Sequence, residues 1–520
     1  MEGYGTLASR EGSAAPSLAI NGDGDGITFQ EADSTTLLVG ERAGENDVST
    51  AAASSLFDCF KAGSRRQDNK RWMTVLLVLN YMIGSGILNT AQTFRDSGLA
   101  ATTMLYLIAC PALWLGMVLL IKAAEASAPS SSPAVAVEAA EGSSNNGRGN
   151  AAVEDLEYAA LAERTLGKAG PYLVDVSILV LNFGAVMSYV ILVGGLTTSL
   201  LSGTKVAEWF PLLESFYFVT PCVVAFPVFQ ICLIRHFSNT RVLAAVSLGV
   251  VTGVVILVVI LGPFLAEAER QSTEGGTALD APLLWWNWAG SFAKMGSVIF
   301  ALSCAPAALH SYTAMEKRDD REWSLVSKIA VVLGGILCFV TGIAGYLSFR
   351  GATEGDILDN FSGWIASIFK IGVVGHLILY IPNEVIILRA SLFTLAGYDV
   401  MNVSDNWVLV VTGGILSLIV GVDVSLMLMG FAHGDLFGYI LDLTGGVTAS
   451  LTSFVLPALA YLSATSDAGA KTPSVSFVLN GRPTDEIAAY RKGSWALLVF
   501  GCAVMVLVPS GVVFSIFSGK

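Results

Sequence analysis

From Trp72 onward the chain is a succession of apolar runs, each long enough to cross about 30 Å of hydrocarbon. Eleven such spans are read, at 72–93, 98–122, 170–202, 216–234, 241–264, 287–311, 325–349, 361–396, 407–430, 434–462 and 493–517. The longer ones imply tilt or extension beyond the bilayer. Residues 1–70 are different material: Gly, Ser, Ala and acids with no sustained period, expected to be a disordered tail. No charged start precedes an apolar core there, so no cleavable signal peptide is expected. Residues 123–150 form a low-complexity loop within the 71–520 transmembrane region, and Leu156 to Glu163 reads as a short helix at the membrane surface.

Composition sharpens this picture. A soluble chain of 520 residues suggests three or four domains. Yet 53% of these residues are hydrophobic and 14% charged, against roughly a quarter charged in soluble proteins. The missing charge means that most of the surface faces lipid. A net charge of −13 excludes a general nucleic-acid binder. The seven cysteines are scattered and read as small buried hydrophobes, and the four histidines form no metal-ligand pattern. Basic residues orient the chain, because Lys and Arg are retained on the cytoplasmic side. With the N-terminus placed inside, 22 of them fall on the cytoplasmic face and five on the other, Lys294 and Lys370 lying within spans. The C-terminus then lies on the non-cytoplasmic side.

Candidate chemistry sits where helices break, since interrupted backbone survives in a bilayer only where it lines a cavity. Span 1 carries Asn80-Tyr81-Met82-Ile83-Gly84-Ser85-Gly86-Ile87-Leu88, whose glycines free N–H groups at the start of a second half-helix. That positive dipole end suits a carboxylate. Span 6 carries Phe300-Ala301-Leu302-Ser303-Cys304-Ala305-Pro306, where Pro306 removes a ladder hydrogen bond and releases carbonyls for an ammonium group. Close packing or a simple kink is the plainer reading of either break. Their positions, first and sixth, correspond if spans 1–5 and 6–10 are inverted repeats, and such pairs mark a midplane site. Ile83, Gly84, Ser85, Gly86, Ser303 and Cys304 are therefore the candidate substrate-binding residues. Tyr189 in span 3 is a candidate cover and Phe300 a candidate gate; both also read as packing.

Ionisable groups inside spans carry function or pair up. These are Lys294, Lys370, His376, Glu384, Asp423 and Asp442. His376 and Glu384, eight residues apart, can face one cavity, and His376 is the natural proton-site candidate. Lys294 is expected to snorkel outward, and Asp423 and Asp442 to be solvated or helix-capping. The Asn80 amide can offer its carbonyl to a cation or its NH₂ to substrate.

These residues resemble the amino acid/auxin permease family, particularly its sodium-coupled neutral amino acid transporter branch. Asn80 to Leu88 matches that family's span 1 signature. Tyr158 to Gly167 with Val174, Asn182, Gly184 and Tyr189, the Arg235–Arg241 connection, and Phe300, Ala301, Cys304, Pro306, Leu309 and Tyr312 follow it too, as do Phe437-Gly438 and Ser453 to Leu462. The likeness covers roughly 72–517. It implies an all-α polytopic membrane protein of 11 transmembrane helices. The implied fold is a five-plus-five inverted repeat with broken helices 1 and 6 (LeuT-like, of the APC superfamily), plus one extra C-terminal helix. Two positions depart: Ala305 stands where the family often has His, and Tyr380 stands two residues before Pro382, where it commonly has Thr. A phenol is a poor partner for a compact sodium cage, which favours a proton; H⁺ and Na⁺ both stay open. Asn80, Tyr380 and His376 are the candidate ion-coupling residues.

The expected activity is secondary active transport of an amino acid, most simply neutral, by alternating access. An amino-acid sensor using the same pocket with little transport is the alternative. A membrane enzyme is set aside, for no nucleophile–base pair, paired intramembrane aspartates or metal ligands are seen. No cofactor is called for beyond a co-transported H⁺ or Na⁺, and the expected partners are the amino acid and the lipid bilayer. Two motifs lie in the tail. Asn21 to Ile27 imitates a calcium loop but runs one residue short. Asp33 to Leu38 matches the acidic dileucine form that sorting adaptors read through Leu37 and Leu38, tilting location toward lysosome or vacuole over plasma membrane.

Overall fold

The computed structural model describes residues 70–127, 157–233, 240–272, 278–398, 400, 402–466 and 484–518, nearly all helical. The calcium-like stretch, the dileucine and most of the low-complexity loop lie outside the described residues. The first span is a bent pair, α1 (Arg71–Met82) and α2 (Thr90–Ser97), joined by a 3₁₀ turn at Ser85–Asn89 and bent by 59°. Then follow α3 (Leu99–Ala126), α4 (Tyr158–Leu166), α5 (Ala169–Leu201), α6 (Phe216–Cys232) and α7 (240–272). The sixth span is α8 (Trp288–Leu302) with α9 (Ala305–Thr313). The chain continues through α10 (Asp320–Phe349), α11 (Gly363–Leu395), α12 (Asp405–Leu428), α13 (His433–Ala464) and α14 (Thr484–Phe517). Among the described residues nine helices are long and apolar enough to cross a membrane, ten with the bent pair. The fourth expected span, α6, is a shorter apolar helix, with a π turn at Val224–Val228 where Pro227 has no N–H to give.

The outer surface is what a bilayer demands and water forbids. Leu107, Ile371 and Val506 are 64%, 60% and 66% exposed, each in mid-helix. Exposed tryptophans mark two interfaces. Trp72 and Trp407 stand near the starts of α1 and α12, the first and ninth spans; Trp288 and Trp364 stand near the starts of α8 and α11, the sixth and eighth spans, which enter from the other side. Two such belts fit the headgroup levels of a membrane, and the chain is a multi-pass integral membrane protein.

Inside, α5 and α11 pack along much of their length, and α8 is wedged against α13 and α14. Glycines permit this closeness. A Cβ on Gly296 would lie 1.9 Å from the Asp442 carbonyl oxygen, so α8 and α13 touch backbone to backbone. Gly98 turns the chain between α2 and α3 at φ 93°, and its missing side chain leaves room for the Trp285 carbonyl. Helix α4 packs one face against the protein: Leu161 is fully buried and the Tyr158 hydroxyl donates to the Thr452 carbonyl at 2.7 Å.

Candidate functional site

Helix α1 stops at Met82 because Ile83 (φ −87°, ψ 92°) and Gly84 (φ −110°, ψ −148°) take extended backbone. Ser85 and Gly86 then open the 3₁₀ turn, with no preceding turn to receive their N–H groups. Helix α8 stops at Leu302, because Ser303 (φ −80°, ψ 130°) and Cys304 (φ −144°, ψ 19°) leave helical space. Pro306 is not where the ladder fails. It sits in the first turn of α9, where a missing N–H is harmless, so the freed carbonyls belong to the end of α8.

The two breaks meet. A Cβ on Gly86 would stand 2.8 Å from Ala301 Cα, a distance only hydrogen allows. The N-terminal end of one half-helix and the C-terminal end of another thus lie side by side, offering partial positive and partial negative charge across a few ångströms. Such a pair of ends suits a zwitterion.

Side chains surround this pair unevenly. The Tyr189 hydroxyl lies 3.2 Å from where a Cβ of Gly84 would be and neighbours Ser85, while its ring meets Tyr380 edge-on at 5.8 Å. Tyr380 in turn packs on His376 at 5.3 Å, and His376 Nε2 lies 3.5 Å from Ser247 Oγ on α7. The Asn80 carbonyl oxygen is buried with no hydrogen-bond partner among the described residues, as is His376 Nδ1. So Gly84, Ser85, Tyr189, Tyr380 and His376 form one chain of neighbours. Ile83 is buried at the break itself. Ser303 and Cys304 turn their side chains elsewhere. The Ser303 hydroxyl bonds Ser453 Oγ on α13 at 2.8 Å, and Cys304 Sγ meets Met117 Sδ on α3 at 3.2 Å, which leaves their backbone for the site. Phe300 packs its Cβ against Gly445 of α13.

Two groups escaped the sequence reading. Tyr81, beside Asn80, joins Tyr189 and Tyr380 within electrostatic reach of Glu384. The second is a polar layer above the breaks. Lys294 does not snorkel; it is 3% exposed and bonds Asp442 at 2.9 Å and Gln92 at 3.2 Å. Asp442 is fully buried rather than solvated, and also receives Ser297 N at 3.2 Å and the Ser297 hydroxyl at 2.5 Å. Ser297 reaches Asn89 at 3.1 Å, and Asn89 donates to Gln92 at 2.6 Å and to the Gly355 carbonyl at 2.9 Å. No local signal announces a pairing between positions so far apart in sequence.

Two further expectations change. Asp423 is fully buried, with both oxygens unpartnered among the described residues. Arg389, counted with the basic face, is buried within α11 and donates to the Cys232 carbonyl at 3.2 Å and Thr412 at 2.8 Å. Lys370 donates to Ser199 at 2.8 Å.

Apolar helices in this number, two of them interrupted back to back, define a polytopic membrane protein whose centre is built from open backbone. The chain belongs to the transmembrane amino acid transporter protein family, whose model matches residues 68–479. It is 24% identical over 353 residues to a Macaca fascicularis protein provisionally described as sodium-coupled neutral amino acid transporter 11, covering 67% of this chain and 69% of that one. It is 23% identical over 325 residues to vacuolar amino acid transporter 2 of Saccharomyces cerevisiae, covering 59% of this chain and 64% of that protein. Among solved structures, MhsT in complex with L-phenylalanine overlaps 80% of this chain and 99% of its own, at 14% identity and a TM-score of 0.45.

Proposed function

We propose that this protein is a secondary active transporter of amino acids, most simply neutral ones, driven by a co-transported H⁺ or Na⁺. The observation that carries this is the contact between the two helix breaks at Gly86 and Ala301. The substrate carboxylate meets the N–H groups of Ser85 and Gly86; its ammonium group meets the carbonyls that end α8. Tyr189 covers the pocket from α5, and Asn80, His376 and Tyr380 border the ion path. Alternating access comes from rocking of one helix bundle against another, with spans 1–5 and 6–10 as inverted repeats; interruptions five spans apart support that reading.

The distribution of Lys and Arg supports a cytoplasmic N-terminus even with Arg389 taken out of the count. Leu37 and Leu38, and the vacuolar name of the yeast relative, support a lysosomal or vacuolar membrane with sorting adaptors as partners. Replacing both leucines by alanine in a fluorescent fusion is expected to redirect the protein, and unchanged targeting removes the argument. Purified protein in liposomes, offered a panel of labelled amino acids under proton and sodium gradients separately, tests the function directly. Uptake supports transport; binding without flux points instead to a sensor.

A further inference from the structure

We propose that Glu384 is the proton-carrying residue of the transport cycle, placed where α1, α5 and α11 converge beside the amino-acid site. The proposal rests on the transport reading above and names the coupling group within it.

Glu384 follows Tyr380 by four residues, so the two share one face of α11. That face is the one turned to the site, because Tyr380 meets Tyr189 and the Tyr189 hydroxyl stands over Gly84. Three phenols from three helices lie within electrostatic reach of the carboxylate: Tyr81 from α1, Tyr189 from α5 and Tyr380 from α11 itself. Phenols can donate to a carboxylate and accept from a carboxylic acid, so they serve both protonation states.

The basic groups near this face are engaged. Arg389 on α11 is held by Cys232 of α6 and Thr412 of α12. His376 faces Ser247 of α7 and the Tyr380 ring. Lys370, nearly four turns back, bonds Ser199. Asp423 lies about three turns along α12 from Thr412. The ion pairs among the described residues leave Glu384 out. Lys294, by contrast, is paired with Asp442 and Asp96 in the polar layer. An intramembrane carboxylate without a counter-cation crosses more cheaply as the acid. It takes a proton from hydronium on one side, giving the carboxylic acid and water, and returns it to water on the other, regenerating carboxylate and hydronium.

The test uses the full chain in liposomes with the membrane potential clamped, and the probes L-alanine, L-glutamine and L-phenylalanine. A proton gradient of one pH unit, at one proton per substrate, supports about tenfold accumulation. Glu384→Gln is expected to bring accumulation down to equilibration while substrate-for-substrate exchange persists at a lowered rate. Glu384→Asp is expected to keep accumulation with a displaced pH profile. Proton-driven accumulation by Glu384→Gln overturns the proposal, as does wild-type accumulation on a sodium gradient alone that this variant loses. Should Glu384→Gln fail to fold, an unchanged pH profile in Glu384→Asp overturns it. If the wild type binds or exchanges none of the probes, the transport reading itself fails and takes the proposal with it; intact exchange with unaltered coupling counts against Glu384 alone.

Discussion

The buried pair Lys294–Asp442 offers the sharpest stability test. Both side chains are almost wholly removed from solvent, and the Coulomb attraction across their 2.9 Å contact is about 6 kcal/mol at an effective dielectric near 20. Changing Asp442 to Leu removes that attraction and strands a cation. Gln92 at 3.2 Å and the half-exposed Asp96 at 3.6 Å offset part of the loss, so the expected cost is about 3 kcal/mol, at the low end for a broken buried pair. Lys294→Met is expected to cost a similar amount, because Asp442 keeps only its Ser297 bonds. The double variant is expected to recover most of the loss, since an apolar pair escapes the desolvation penalty. Equilibrium unfolding of the four proteins in mixed micelles gives the cycle, with a coupling energy of about 2 kcal/mol or more. Additive losses, or single losses under about 1 kcal/mol, refute the picture of a closed, desolvated pair holding α8 to α13.

Three other outcomes follow from the geometry. Gly86→Ala places a methyl 2.8 Å from Ala301 Cα; the breaks must part, at about 1–3 kcal/mol, and a thermal shift assay should show a lowered midpoint and weakened substrate protection. Asp356, in the segment between α10 and α11, has its carboxyl pushed up by burial and by the neighbouring Asp359 charge, against the Leu358 amide, Lys370 and His433, which pull it down. A raised carboxyl binds its proton more tightly when folded, so its stabilisation is complete below the ordinary carboxylate range and is lost as pH rises through the folded value. With the intrinsic base-catalysed rise divided out, the protection factors of residues 353–361 should therefore fall from acid to alkaline pH, and Asp356→Asn should flatten that dependence. Tyr380→Thr gives up the edge contact with Tyr189, about 0.5–1.5 kcal/mol, and supplies a small hydroxyl. Sodium-driven uptake gained by this variant supports exclusion by the phenol; none gained counts against it.

The spans and the two breaks were legible in the chain for one physical reason. Hydrocarbon hydrates nothing, so every crossing must be a long apolar run, and every lapse in such a run marks backbone that needs another partner. Gly84-Ser85-Gly86 announces itself that way, and so does the run to Pro306, though the rupture falls at Ser303–Cys304 and the proline merely begins the next half-helix. What tertiary structure alone decided is which residues meet. Lys294 looked like a snorkelling cation because its partner lies 148 residues away on another helix. Arg389 looked like a cytoplasmic charge until Thr412 and the Cys232 carbonyl were beside it. Ser303 and Cys304 were read for their backbone carbonyls, but that their side chains turn away to Ser453 and Met117 was decided by the packing of α13 and α3. A sequence carries the cost of burying each group, because that cost is local; it does not carry the compensation, because the partner is brought in by the fold.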